Sequence, residues 1–120
     1  MKLLILDDEE VILESLKLYL ERKGYSVLTA QRGEIALSLL KEHNPDLMLL
    51  DLHLKEGPTG IEVLKQALAF NPQLKVAVLT GFGKEEDVKD KVFSLGAKLL
   101  LKKPIQLNYL KEELDKLASI

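Results

Sequence analysis

The chain contains no cysteine and no tryptophan in 120 residues. Without thiols, disulfide frameworks, thiolate catalysis, zinc ribbons and iron–sulfur clusters are excluded. Two histidines, His43 and His53, are too few for a histidine-based metal site. No apolar run approaches the ~20 residues a helix needs to cross a bilayer. Met1-Lys2 leads into a short apolar stretch without a cleavage-site pattern, so neither membrane insertion nor secretion is expected. A surplus of positive charge is missing too: 17 Lys and Arg stand against 19 Asp and Glu, a formal net charge of −2. Direct nucleic-acid binding by this chain is therefore not expected, since it would need a basic excess to face phosphates. What is present, 47% hydrophobic and 30% charged residues, fits one cytoplasmic domain over residues 1–120. Such a length buries about two-thirds of the unfolded surface in a single core.

Five short apolar runs recur at Lys2–Leu6, Tyr25–Ala30, Asp46–Leu50, Leu74–Leu79 and Lys98–Leu101. Runs of this length bounded by turn or polar residues read as strands buried on both faces. Between them lie stripes at helical spacing. They are Ile12, Leu16, Tyr19 and Leu20; Ala36, Leu39 and Leu40; Ile61, Leu64 and Leu68; Val88, Val92 and Leu95; and Leu107, Leu110, Leu114 and Leu117. Gly24, Asn44-Pro45, Asn71-Pro72 and Gly96 mark helix ends. Five strand–helix repeats predict an α/β domain, a doubly wound five-stranded parallel sheet with helices on both faces. Tyr19 and Phe70 are expected to pack in or at the edge of the core. Phe93, Leu99 and Tyr109 are expected to form an exposed partner surface, and His43 to complement the dipole at the end of the second helix.

In an open parallel sheet ligands gather at the carboxyl ends of the strands. Asp7, Asp8, Glu9 and Glu10 follow the first strand, Asp51 ends the third, Thr80-Gly81 the fourth, and Lys102-Lys103-Pro104 the fifth. Crowded carboxylates repel, and a hard divalent cation such as Mg²⁺ relieves that with about six oxygen ligands. A lysine there can hold a phosphoryl group, and a threonine hydroxyl can donate to it. Each position alone has a simpler reading. Asp8 or Glu9 is open to being a helix N-cap only, and a single Lys103 to being a surface charge. The joint placement carries the argument.

The chain resembles the receiver domains of two-component response regulators, the CheY-like family. The resemblance runs through Leu6-Asp7-Asp8-Glu9, Leu49-Leu50-Asp51-Leu52, Leu79-Thr80-Gly81, Gly96-Ala97 and Lys103-Pro104, and spans essentially the whole length. It implies a flavodoxin-like strand order, 2-1-3-4-5. It implies Asp51 as acceptor of a phosphoryl group from a sensor histidine kinase or phosphotransfer protein. Mg²⁺ would be held by Asp7, Asp8, Asp51 and the backbone carbonyl of His53. Thr80 and Lys103 would engage the phosphoryl group, and Lys103-Pro104 would be a cis peptide. An output domain, an effector protein or a phosphorylation-dependent homodimer would then read the switched surface. The catalysis implied is confined to the chain's own phosphorylation and dephosphorylation.

Three positions depart from the family pattern. Leu100 stands three residues before Lys103, where an aromatic switch residue is usual, and Lys55 stands where the loop after Asp51 usually has proline. Gly60 falls nine residues after Asp51 rather than eight, which lengthens that loop by one. His53 and Phe82 flank the site as candidate modulators of phosphoryl lifetime, with the His53 ring expected to be exposed and without a role of its own. A pseudo-receiver that is never phosphorylated would not need every acidic, Thr and Lys position filled. An aspartyl phosphohydrolase of the haloacid-dehalogenase type would need an Asp where His53 stands. A dinucleotide-binding domain would need glycines in place of Asp7-Asp8-Glu9-Glu10.

Overall fold

A computed structural model describes residues 1–81 and 88–120 in full and residues 85–87 as helical backbone; Phe82 lies outside the described residues. The chain alternates β1 (Lys2–Leu6), α1 (Glu10–Arg22), β2 (Ser26–Ala30), α2 (Gly33–His43), β3 (Leu47–Asp51), α3 (Gly60–Phe70), β4 (Lys75–Thr80), α4 (Glu85–Ser94), β5 (Leu99–Lys102) and α5 (Leu107–Ala118). The five strands form one sheet in the order β2-β1-β3-β4-β5, and every adjacent pair is parallel.

The pleat sorts the core into two layers. Leu4, Leu6, Met48, Leu50, Val76 and Val78 face α2, α3 and α4. Leu3, Ile5, Leu47, Leu49, Ala77, Leu79 and Leu101 face α1 and α5. Both faces are covered, so β1 and β3 carry continuous apolar runs rather than an alternating pattern.

The strands lie where the apolar runs predict, displaced by a residue at several ends. Asp46 stays outside β3 and its carboxylate accepts the Lys2 N–H (2.9 Å). Asp51 is inside it, since Leu52 N–H continues the ladder to Leu79 carbonyl (2.9 Å). Tyr25 precedes β2 but is buried, and its hydroxyl donates to Asp115 on α5 (2.7 Å). The helical stripes turn slightly toward neighbours: Leu13, Leu37 and Val63 are fully packed, whereas Ile12, Leu39 and Ile61 are only partly buried. Phe70 is a clear exception to expectation, 47% exposed at the last residue of α3.

Helix ends follow their local chemistry. Asn44 closes α2 in the left-handed conformation (φ 46°), and Thr59 opens α3 with a capping box. Its hydroxyl accepts from Glu62 N–H, and the Glu62 carboxylate accepts from Thr59 N–H. Gly60 begins α3 hard against β3. A Cβ at this position would stand 2.5 Å from the carbonyl oxygen of Leu52 and 2.6 Å from its Cα. Only glycine lets the helix start that close to the strand end that bears Asp51.

Candidate functional site

The carboxyl ends of β1, β3 and β5 converge on a small acidic pocket. Asp7, the first residue past β1, is wholly buried. Its Oδ1 accepts from Glu9 N–H (2.9 Å), so this carboxylate, rather than a side chain of the N-cap residue Glu9, organises the entry to α1. Its Oδ2 lies 2.8 Å from Lys103 Nζ. Among the described residues no donor is aimed at that oxygen with hydrogen-bond geometry, which leaves a buried carboxylate oxygen incompletely satisfied. Asp8 is half-buried and its Oδ2 accepts from Lys55 N–H (3.1 Å), tying β1 to the loop after β3.

Asp51 is 3% exposed. Its Oδ1 accepts from His53 N–H (3.1 Å) and its Oδ2 from Lys103 Nζ (3.2 Å). One oxygen from each of Asp7, Asp8 and Asp51 lies within 4.8 Å of the others. Burial pushes the Asp51 carboxyl above its usual range, with Asp7 adding to the rise and His53 N–H and Lys103 opposing it. For Lys103, burial works against the ammonium, yet the contacts and charges of Asp7 and Asp51 outweigh it and raise its pKa. Among the described residues the pocket thus holds more negative charge than the Lys103 ammonium balances. Three oxygen donors of this kind, one of them poorly satisfied, suit a hard divalent cation.

Asp7, Asp8, Asp51 and Lys103, all expected from the sequence, are brought together. Thr80 is not in direct hydrogen-bond contact with them through its side chain. It is wholly buried, and by strand parity it belongs with Val76 and Val78, on the face opposite Leu79. Its Oγ1 instead lies 3.0 Å from His53 Nε2. His53 is exposed, as expected, but its ring has a buried partner that the sequence did not indicate. Thr80 is also joined to Lys103 through the backbone, where Lys103 N–H donates to the Thr80 carbonyl (2.8 Å). The Lys103-Pro104 peptide is cis, as the resemblance implies.

Two further features escaped sequence reasoning. Arg32, before α2, pairs with Glu34 and reaches Glu56 (2.7 Å), which pins the lengthened loop after β3 to the turn after β2. Opposite charges separated by 24 positions leave no periodic signal. Beside Lys103, an apolar groove of about 360 Å³ opens between α1 and the start of α5, walled by Val11, Ile12, Leu16, Pro104 and Ile105.

The sequence model described as "Response regulator receiver domain" matches residues 3–115. The chain is 31% identical to sporulation initiation phosphotransferase F of Bacillus subtilis over 96% of its own length and 91% of that protein's. It is 42% identical to the alkaline phosphatase synthesis transcriptional regulatory protein PhoP of Bacillus subtilis, over 86% of this chain and 42% of that protein. With a cyclic di-GMP phosphodiesterase of Thermotoga maritima it shares 37% identity, but spans only 29% of that protein's length. Among solved structures, a CheY-like receiver domain from Methanospirillum hungatei superposes with a TM-score of 0.92 at 29% identity, over 98% of this chain and 93% of the other.

Proposed function

The chain belongs to the response-regulator receiver family of two-component signalling, and from that premise we propose that Asp51 is its phosphoacceptor. The observation that carries the proposal is the Asp51 carboxylate itself. It is buried at the end of β3, held on one oxygen by His53 N–H and on the other by Lys103, with Asp7 and Asp8 in reach.

Asp51 attacks the phosphorus of a phosphohistidine borne by a sensor kinase or phosphotransfer protein. An O–P bond forms as the N–P bond breaks, and the imidazole leaves to take up a proton. Lys103 stabilises charge on the transferring oxygens, and the two contacts on Asp51 orient it for in-line attack. Asp7, Asp8, Asp51 and the His53 carbonyl would hold Mg²⁺. When bound, the metal supplies the positive charge that neutralises the developing phosphoryl oxygens. Thr80 serves the phosphoryl group once it is in place. The apolar groove supports docking of the donor there, since Lys103, which contacts Asp51, is part of its lining.

The product is a switch rather than a turnover catalyst. Residues 1–120 act as one receiver domain, in the cytoplasm. Phe93 (40% exposed) and Tyr109 (49%) form the surface read by an output domain, an effector or a second copy. Leu99, expected to join them, is partly buried against the α1/α5 face instead. The test is incubation with a small phosphodonor and Mg²⁺, followed by intact mass and peptide mapping. One phosphoryl group on wild type, at Asp51, and none on Asp51→Asn is expected. Equal labelling of the variant, or none of wild type, overturns the assignment.

A further inference from the structure

Thr80 has one hydroxyl proton and, among the described residues, one side-chain partner, the His53 ring at 3.0 Å. The rest of the described site does not claim that hydroxyl. Asp51 takes its two donors from His53 N–H and Lys103, and strand parity turns Thr80 toward the α2/α3/α4 face. His53 is in turn fastened to the acceptor residue through its own N–H on Asp51 Oδ1. The residue two positions past the acceptor thus grips Asp51 with its backbone and Thr80 with its ring.

We propose that His53 is a positioning residue that latches the switch hydroxyl. In the unphosphorylated protein its ring holds Thr80 Oγ1 away from Asp51, and the hydroxyl must leave the ring before it can serve a phosphoryl group. The inference rests on the phosphoacceptor reading above. In either ring tautomer the oxygen is anchored at the same distance, so the latch does not depend on which nitrogen carries the proton. A contact made in only one of two states opposes the other state by its own net free energy. For one hydrogen bond, that is a shift of about two- to twelve-fold in the switching equilibrium.

The test uses fluoroberyllate, a stable phosphoryl mimic, titrated calorimetrically at saturating Mg²⁺ so that changes in metal affinity do not enter. Wild type, His53→Ala, Thr80→Val and the double variant form a cycle. His53→Ala is expected to bind the mimic about two- to twelve-fold tighter, and the gain is expected to vanish in the Thr80→Val background. In the metal-free protein, three-bond couplings are expected to report one Thr80 χ1 rotamer in wild type and an averaged one in His53→Ala. Unchanged or weaker binding, a gain that survives Thr80→Val, or a Thr80 already averaged in wild type overturns the latch. A wild type that binds no fluoroberyllate overturns the phosphoacceptor reading and the latch's regulatory role with it, while the rotamer comparison still decides the contact.

Discussion

Replacing Lys103 by Met removes one cation from two buried carboxylates and keeps most of the side-chain volume. Lys103 Nζ stands 2.8 Å from Asp7 Oδ2 and 3.2 Å from Asp51 Oδ2. At an effective dielectric of ~20 each pair attracts by roughly 5 to 6 kcal/mol before desolvation is charged against it. Removing one partner of a buried pair costs about 3 to 5 kcal/mol, because the other is left uncompensated. The Lys103 side chain is 21% exposed, so water can partly replace it, and the lower end applies. In a domain of this size a loss of about 3 kcal/mol lowers Tm by roughly 12 °C. The pH dependence has a definite sign. Burial raises Asp51, so its contribution to stability is complete below the unfolded-state carboxylate range and is lost as pH rises through the folded-state value. Losing Lys103 raises that value further. Urea unfolding should therefore show the widest gap between wild type and Lys103→Met at neutral pH, closing on acidification and narrowing in excess Mg²⁺. A neutral-pH gap under about 1 kcal/mol, or one that acid leaves unchanged, would mean that the ammonium does not hold these carboxylates.

Mg²⁺ at a hundredfold excess over its Kd should stabilise wild type by about 2.7 kcal/mol, read as a rise in Tm, and Asp8→Ala should lose most of that rise. Asp51→Asn should stabilise the metal-free protein at neutral pH, because it supplies permanently the neutral form that burial favours while still accepting His53 N–H; denaturant midpoints check this. Gly60→Ala should destabilise by about 1 to 3 kcal/mol despite alanine's higher helix propensity, since its Cβ meets Leu52 backbone that no rotamer change can move. The same variant should slow phosphorylation by a small donor, because Leu52 adjoins Asp51.

The five parallel strands and the acidic pocket were legible in the sequence because each rests on a local signal; their order, β2-β1-β3-β4-β5, followed only from the family resemblance. Buried parallel strands read as unbroken apolar runs, and charged residues directly after them fall at one sheet edge. The one-residue errors have the same origin. The run Asp46–Leu50 does not reveal that Asp46 stays outside β3, where its carboxylate accepts the Lys2 N–H. Neighbouring apolar residues, Ile12 with Leu13 or Leu39 with Leu40, let two adjacent helical stripes fit equally well. Phe70 was misplaced although Asn71-Pro72 marks the helix end, because its spacing from Val63 and Ala67 suits the buried face while the last residue of α3 stays exposed. The His53–Thr80 and Arg32–Glu56 contacts were illegible for a different reason. Each joins a loop side chain to a residue 27 or 24 positions away, and such pairings exist only once the sheet has brought the loops together.

The charge in the pocket indicates which part of the domain should respond. Among the described residues, three carboxylates against one ammonium leave two negative charges in excess, which a divalent cation would balance. On the proposed reading, phosphorylation then replaces a singly charged carboxylate by a group that approaches two negative charges at neutral pH, so the pocket again lacks donors. Asp7 and Asp8 can supply none, and the His53 N–H is already committed to Asp51. Among the side chains described at the site, the donors left are Lys103 Nζ and the Thr80 hydroxyl, and their backbones are joined by the Lys103 N–H to Thr80 carbonyl bond. Both therefore draw on the β4–β5 edge and not on β1 or β2. Leu100, in the middle of that edge, is partly buried and packs against the α2/α3/α4 core layer. A shift of β5 toward the pocket thus acts on aliphatic packing under α4 instead of turning an aromatic ring inward. The response should reach the surface at Phe93 and Tyr109, on α4 and α5, ahead of α2 or α3.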